Sequence, residues 1–151
     1  MYTPHTVTIY NFSGENVDTL MPELEITILR GVFLDISQGE NIMKSGLANA
    51  DSAILYIPMY IKAINAETGQ EQQYLPPMEY DRQEDKSVYW TVGTRDKESG
   101  SGCFFVKGEV VDTGVDYNSI NDRYDYAYRV SSVDVRDFGS PEMQHWQVGG
   151  K

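Results

Sequence analysis

Hydrophobic and polar residues alternate with a period of two along most of the chain, which is the pattern of strands that bury one face. In the first two such segments, Val7 and Ile9 share one face, and Ile26 and Ile28 share another. No long segment shows the 3.6-residue period of an amphipathic helix. We therefore predict a mainly β protein with less than about a quarter of its residues in helices, against a usual ~30–35%. The predicted strands are residues 6–10, 24–34, 53–63, 71–75, 87–94, 103–112, 126–135 and 145–148.

Turn residues indicate how these strands are connected. Residues 65–70 carry asparagine, threonine and glycine and predict a hairpin. The polar, glycine-containing residues 95–102 predict a second hairpin that spans residues 87–112. Gly31 interrupts one strand and predicts a bulge or a close backbone approach, and the serine pair at 131–132 interrupts another and predicts a bulge or bend. The buried faces predict a core that contains Val7, Ile9, Ile26, Ile28, Ile57, Met59, Val88, Trp90, Val92, Phe105, Val130 and Val133.

The chain length of 151 residues fits one ordinary domain. Seven or eight short strands separated by turns favour a single-domain antiparallel β-barrel or sandwich, and the pattern leaves both open. One or two short helices are predicted at 77–86 and 117–124, and long loops at 37–52 and 95–102. Residues 140–151 are predicted to form a C-terminal extension of this domain.

Charge narrows the choice of partners. The chain carries 23 acidic and 12 basic residues, which gives a formal net charge of −11. The acidic residues form no long run of like charge, so they do not constitute an acidic tail. This charge disfavours contact with phosphates, and we predict no sequence-specific binding of nucleic acid. It is compatible with solubility alone, with a surface that repels or mimics DNA, and with a basic partner.

Neither a membrane segment nor a secretory signal is predicted. The longest apolar segment, residues 53–61, is interrupted by Pro58 and is far shorter than the ~20 residues of a membrane helix. Residues 1–5 lack the basic and apolar regions of a signal peptide.

Residues that commonly carry chemistry are scarce. The chain contains two histidines, His5 and His145, and one cysteine, Cys103, too few for a structural zinc site. Cys103 precedes an apolar strand and is predicted to be a buried core residue. Residues 116–122 carry oxygen ligands without the spacing of an EF-hand, and no phosphate-binding or metalloprotease motif is present. We predict a protein that is not an enzyme and that needs no metal or cofactor.

Aromatic and apolar residues in turn-rich segments are the candidates for protein contact. Tyrosine occurs 11 times and offers contact area with a hydrogen-bonding tip. The residues after Gly139 offer an aromatic anchor, with the Gly149-Gly150 pair leaving the chain end free to move. The alternatives are that the tyrosines pack within the domain and that Trp146 folds back onto it. The candidate interaction residues are Tyr117, Tyr124, Tyr126, Met143, His145, Trp146, Ile42 and Met43.

Six segments together carry a resemblance that spans nearly the whole chain. They are HTVTIYN at 5–11, GVFLD at 31–35, KSG at 44–46, AILYIP at 53–58, FFVKGEVV at 104–111 and VDVRDFGSPEMQHW at 133–146. The chain resembles a poorly characterised family of small proteins encoded in the structural-gene modules of tailed phages and prophages of Gram-positive bacteria.

The resemblance implies a virion structural role and no catalytic residues. The specific role that the resemblance implies is that of a head–tail connector protein of the head-closure (stopper) type. Such a protein is a β-barrel that forms a homo-oligomeric ring and contacts portal and adaptor proteins. A tail-completion or minor capsid protein is an alternative position. The location implied is the virion, and the host cytoplasm during assembly. Independently of the resemblance, the acidic composition allows an inhibitor or DNA mimic that binds a host protein.

Overall fold

Strands dominate the structure, a computed structural model that describes residues 2–15, 18, 22–37, 53–94 and 103–151. Of the described residues, 49% lie in strands and 15% in helices, which confirms the mainly β prediction. The strands are β1 (His5–Glu15), β2 (Pro22–Ile36), β3 (Ala53–Pro58), β4 (Ala63–Asn65), β5 (Glu71–Tyr74), β6 (Tyr89–Trp90), β7 (Phe104–Lys107), β8 (Ala127–Arg136) and β9 (His145–Gly150). The helices within these ranges are α1 (Pro77–Asp81) and α2 (Tyr117–Arg123), with 3-10 turns at Lys86–Val88 and Pro141–Met143.

Six strands close into an antiparallel barrel, in the order β1-β7-β8-β9-β3-β2, with β2 pairing back to β1. Closure depends on two long strands that change partner along their length. Strand β8 pairs with β7 through residues 127–129 and with β9 through residues 130–136. Strand β2 pairs with β1 on one edge and with β4 and then β3 on the other. Strands β4, β5 and β6 extend the sheet beyond the barrel, and the fold is therefore a barrel rather than a sandwich.

Both predicted bulges are confirmed. The register of β1 against β2 moves from Arg30 to Val32, which leaves Gly31 as the extra residue. Gly31 has a φ of 96°, which favours glycine because it lacks a Cβ atom. In β8 the register against β9 moves from Val130 to Ser132. These bulges bend the two strands that have to turn from one neighbour to another.

The barrel interior holds the main hydrophobic core. Cys103 is buried there, as predicted. The prediction of burial is confirmed for eight core residues: Val7, Ile9, Ile26, Ile28, Ile57, Trp90, Val92 and Phe105. Met59, Val130 and Val133 are partly buried against this core, and Val88 is half-buried.

A second apolar cluster lies on the outside of the barrel. It consists of Tyr10, Ile26, Phe104, Val106, Val110, Val115, Ile120 and Ala127. Helix α2 and the segment 108–116 supply the residues that cover the outward side chains of β1, β2, β7 and β8. Asp116 caps α2 by accepting a hydrogen bond from the Ser119 backbone N–H at 2.9 Å. Tyr10 stacks on Phe104 with ring centroids 4.8 Å apart, so both faces of β1 are buried here.

The predicted hairpin over residues 87–112 is wrong. Strand β6 pairs in parallel with β5, whereas β7 pairs with β1 and β8. The predicted strand 53–63 is also interrupted, because Pro58 ends β3 and a turn precedes β4. Alternation indicates which side chains are buried, and it carries no information about which strand lies alongside.

The prediction that residues 140–151 form an extension is wrong for β9. This strand lies between β3 and β8 and completes the barrel. Gly150 is buried rather than free, since a Cβ atom there would lie 2.7 Å from the Phe105 ring and 2.8 Å from the Cβ of Tyr128. The predicted loops 37–52 and 95–102 lie, apart from Ser37, outside the described residues. In the part of the chain that is described, no helix is long and apolar enough to span a membrane.

Candidate functional site: an apolar end of the barrel

Two turns meet at one end of the barrel. The turn after β3 and the turn between β8 and β9 are joined by a hydrogen bond from the Met59 N–H to the Gln144 carbonyl, 3.0 Å long. Seven large hydrophobic side chains are exposed among the described residues, and four of them belong to this end. We call this surface the apolar end; its exposed residues are Tyr60 (60%), Val135 (54%), Phe138 (68%) and Met143 (53%). Grouped exposed apolar residues are typical of interaction sites.

A groove of about 840 Å³ adjoins the apolar end. Met59 and Ile61 line it beside the turn, and residues of β5 and β6 line its other side. Three aromatic residues of its lining, Tyr74, Trp90 and Trp146, have ring centroids that lie 4.4–5.4 Å apart, and Tyr89 lies beside Trp90 in β6. Because Trp90 and Trp146 are almost fully buried, they form a fixed floor on which Tyr74 rests.

The groove is nearly uncharged. Among the described residues of the lining, Glu71 is the one with a formal charge, and the neighbouring polar residues are Gln72 and Gln73. Burial raises the pKa of Tyr74. The Tyr74 hydroxyl therefore keeps its proton at neutral pH and can donate a hydrogen bond. Such a lining suits an apolar side chain with a nearby hydrogen-bond acceptor.

Of the lining residues that the structure describes, none is a histidine or a cysteine. Within the described ranges, no group of three or more histidine, cysteine, aspartate or glutamate side chains is placed to hold a metal ion.

The C-terminal candidate residues come together at this end with different roles. Met143 is exposed, as an interaction residue requires. His145 is half-buried; its Nδ1 lies 2.9 Å from the Met143 carbonyl and its ring centroid 5.8 Å from that of Tyr56. Trp146 is a core residue in the groove floor, which corrects its prediction as an exposed anchor. It is buried because strand pairing places it on the inward face of β9, opposite Ile57.

The tyrosine candidates lie at the opposite end of β8, where Tyr117 and Tyr124 pack in the covering layer and Tyr126 packs against the barrel core. Tyr117 packs edge-on against Phe104 at 5.3 Å. The Tyr124 hydroxyl donates to Asp112 Oδ2 at 3.0 Å, and the Lys107 ammonium lies 5.2 Å from the ring centre of Tyr126. All three tyrosines are half-buried, and Tyr117 and Tyr124 hold the layer to the barrel. Candidates Ile42 and Met43 lie outside the described residues.

Sequence reasoning missed Tyr60, Val135 and Phe138 as interaction residues. A signal for Phe138 was present, because this large apolar residue stands between Asp137 and Gly139 in a turn, where burial is rare. Tyr60 carried a similar signal two residues after a proline that ends its strand.

A separate acidic region surrounds the start of β2. Burial raises the pKa of Glu25, and the carboxylates of Glu67, Asp85 and Glu23 raise it further. Part of the negative charge is therefore concentrated around Glu25.

Comparison with known proteins gives one result for the whole chain. The model of a family described as a family of unknown function, DUF6751, matches residues 2–151. No curated protein and no solved structure matches the chain.

Proposed function

We propose, from the premise that the chain belongs to the DUF6751 family, that it is a virion structural protein of a tailed phage that acts by protein–protein contact. The observation that supports this role is the apolar end with its adjoining groove. The resemblance carried by the six sequence segments supports the more specific role of a head–tail connector subunit of the stopper type. A tail-completion or minor capsid position uses the same surface.

The apolar end gives the subunit a way to recognise its neighbour. A loop of the adjoining portal or adaptor protein covers Phe138 and Met143 and inserts an apolar side chain into the groove. Each large apolar side chain that becomes buried contributes about 1.5–3 kcal/mol. The neutral lining selects against charged side chains, because burying an unpaired charge is unfavourable.

The remaining surface suits a ring around a DNA channel. A net charge of −11 offers few cations to the DNA phosphates, so DNA in transit is not retained. A closed barrel also has fewer open edges than a flat sheet, which reduces non-specific pairing before assembly. In this proposal the protein is not an enzyme and reaches the virion from the host cytoplasm.

Particle assembly tests the proposal. The Phe138→Ser/Met143→Ser variant is introduced into the phage genome that encodes the chain, with Val111→Ser as the matched control. Val111 is 56% exposed but lies in the segment that covers the other end of β8. We expect the wild-type and control proteins in purified virions, and heads without attached tails for the double variant, scored by electron microscopy and mass spectrometry of particles.

Two results would contradict the proposal. One is absence of the wild-type protein from purified virions. The other is normal assembly of the double variant with the protein incorporated at wild-type levels. If the protein is absent from virions and is recovered bound to a host nuclease, the role of acidic inhibitor is favoured instead.

A further inference from the structure

The groove beside the apolar end presents aromatic rings to whatever occupies it. Trp90 and Trp146 form its floor, and the half-buried Tyr74 and Tyr89 add two further rings to the lining. The ring centroid of Tyr74 lies 5.2 Å from that of Trp90 and 4.4 Å from that of Trp146, so these three rings form one aromatic surface. Such a surface suits flat apolar groups, among which is the proline ring.

The polar groups of the lining favour an occupant that brings hydrogen-bond acceptors. Gln72, the buried amide of the described lining, is engaged at both ends: its Nε2 donates to the Ser87 carbonyl at 2.9 Å, and its Oε1 accepts from the Thr27 hydroxyl at 2.6 Å. The Tyr74 hydroxyl keeps its proton and can donate. Because a backbone N–H that is buried without an acceptor costs free energy, proline, which has a carbonyl and no N–H, suits this lining.

One charge lies at the rim of the groove. Among the lining residues that the structure describes, Glu71 alone carries a formal charge, and it is exposed. The whole chain has a net charge of −11, so a basic group is the complementary charge for this rim. An exposed ion pair keeps much of its hydration and therefore selects a partner without the large desolvation penalty of a buried pair.

The spacing along β5 indicates where this basic group stands relative to the proline. Glu71 and Tyr74 are three residues apart, which is about 10 Å along a strand that rises ~3.3 Å per residue. A polyproline II helix rises about 3.1 Å per residue with three residues per turn, so residues three positions apart are about 9 Å apart on the same side. When a proline lies over Tyr74, a residue three positions away therefore lies beside Glu71.

We propose, building on the function proposed above, that the groove binds an extended proline-containing segment of the adjoining virion protein, with lysine or arginine three residues from a proline. The proline ring packs on Tyr74 and the groove floor, and the carbonyl of the segment accepts a hydrogen bond from the Tyr74 hydroxyl. The basic side chain pairs with Glu71 at the rim. Because proline restricts the backbone before binding, the segment loses less conformational entropy when it docks.

A peptide titration on the purified 151-residue chain tests this proposal. Its two tryptophans both lie in the groove floor, so intrinsic tryptophan fluorescence reports occupation of the groove. The probe is the blocked peptide RAAPPAAR, which places arginine three residues from a proline in either chain direction. We expect RAASSAAR to bind at least about tenfold more weakly, because the apolar rings are lost. We expect EAAPPAAE to bind at least about threefold more weakly, because repulsion replaces attraction at the rim.

Two conservative variants locate the contact in the groove. Glu71→Gln removes the rim charge and is expected to reduce the preference for RAAPPAAR over EAAPPAAE at least twofold. Glu84→Gln is the matched control, since Glu84 is also exposed and lies outside the described groove lining, and it should keep the preference. Tyr74→Phe keeps the ring and removes the hydroxyl, and it should weaken binding of RAAPPAAR about two- to tenfold.

Four results would overturn the proposal. They are no binding of RAAPPAAR at millimolar concentration by fluorescence and calorimetry, equal affinity for RAASSAAR, a preference for arginine that survives Glu71→Gln, and an affinity that Tyr74→Phe leaves unchanged. The titration is separate from virion incorporation. A protein that is present in virions but does not bind the peptide overturns the groove assignment alone, whereas a protein that binds the peptide but is absent from virions overturns the virion role alone.

Discussion

Aromatic and apolar side chains lie around both ends of β8, and the two ends differ in whether another segment of the chain packs over these side chains. Around its first half, Tyr117 and Tyr124 pack into a layer with α2 and Tyr126 packs against the barrel core, and their hydroxyl groups or ring faces contact residues of the chain itself. At its second half, Val135 and the following Phe138 are exposed. Aromatic or apolar content alone therefore does not mark an interaction surface. A covering segment within the chain decides whether such residues stabilise the fold or remain available to a partner.

The covering segment exists at one end because its helix is capped and anchored. Asp116 begins α2, and the buried Ile120 attaches it to the barrel. At the other end the connection between β8 and β9 contains one 3-10 turn, Pro141–Met143, which has no buried residue. A single turn of this kind is too short to present an apolar face of its own.

Removal of all residues after Gly139 is expected to have the largest effect. It deletes β9 and leaves β3 and β8 without their shared neighbour, so the barrel cannot close. We expect no cooperative unfolding transition by near-ultraviolet circular dichroism, with the full-length Met143→Ser variant as the folded control. A truncated protein that melts cooperatively near the wild-type temperature would show that this end is an appendage of the barrel.

Replacement of Trp90 by alanine is expected to cost about 3–5 kcal/mol in the free energy of unfolding. Trp90 is almost fully buried and contacts both Tyr74 and Trp146. Phe138→Ala removes a comparable aromatic ring at the apolar end, where an exposed substitution changes stability by less than about 0.5 kcal/mol. Urea titration measures the free energy of unfolding of both variants. Equal losses of stability would contradict the distinction between the buried groove floor and the exposed apolar end.

Alternation of hydrophobic residues predicted most strands because one face of each strand lies in the barrel interior. It did not indicate which face of β2 points into the barrel, since the predicted core residue Ile26 points outward with Tyr10 into the layer under α2. The bulge at Gly31 could be predicted because a glycine inside a strand weakens regular pairing and commonly marks a bulge.

The candidate site was less predictable than the strands. Trp146 lies in a short segment between a proline and two glycines, which is typical of an extension, yet its partners β3 and β8 are remote in sequence. Strand partners depend on three-dimensional register, which composition and local spacing do not encode. The groove joins residues from four separate segments, so no single motif represents it.

Gly150→Ala is expected to cost about 1–3 kcal/mol, because an added methyl group overpacks the barrel interior. The Cβ atom would meet the Phe105 ring, which can shift slightly, and the Cβ of Tyr128, which moves only with its backbone. Gly139→Ala is not a suitable control, since Gly139 has a φ of 85°. Met143→Ala, at the exposed end, is the control instead. Thermal unfolding measures the melting temperatures of both variants, and equal melting temperatures would place Gly150 outside the packed interior.

Asp116→Ala is expected to give the smallest loss, about 0.5–2 kcal/mol at neutral pH, because it removes the cap of α2. Hydrogen bonds from the backbone and side chain of Ser119 lower the pKa of Asp116. A carboxyl whose pKa is lower in the folded protein contributes stability above its unfolded pKa of about 3.9 and loses that contribution as the pH falls through its folded pKa. The difference between wild type and variant should therefore shrink in acid. Asp116→Asn keeps an acceptor for the Ser119 N–H without a charge, so its loss at neutral pH should be smaller than that of Asp116→Ala and should also shrink in acid, where wild-type Asp116 becomes protonated. Urea midpoints across this pH range measure both variants, and a constant Asp116→Ala difference would mean that the covering layer does not depend on this charged cap.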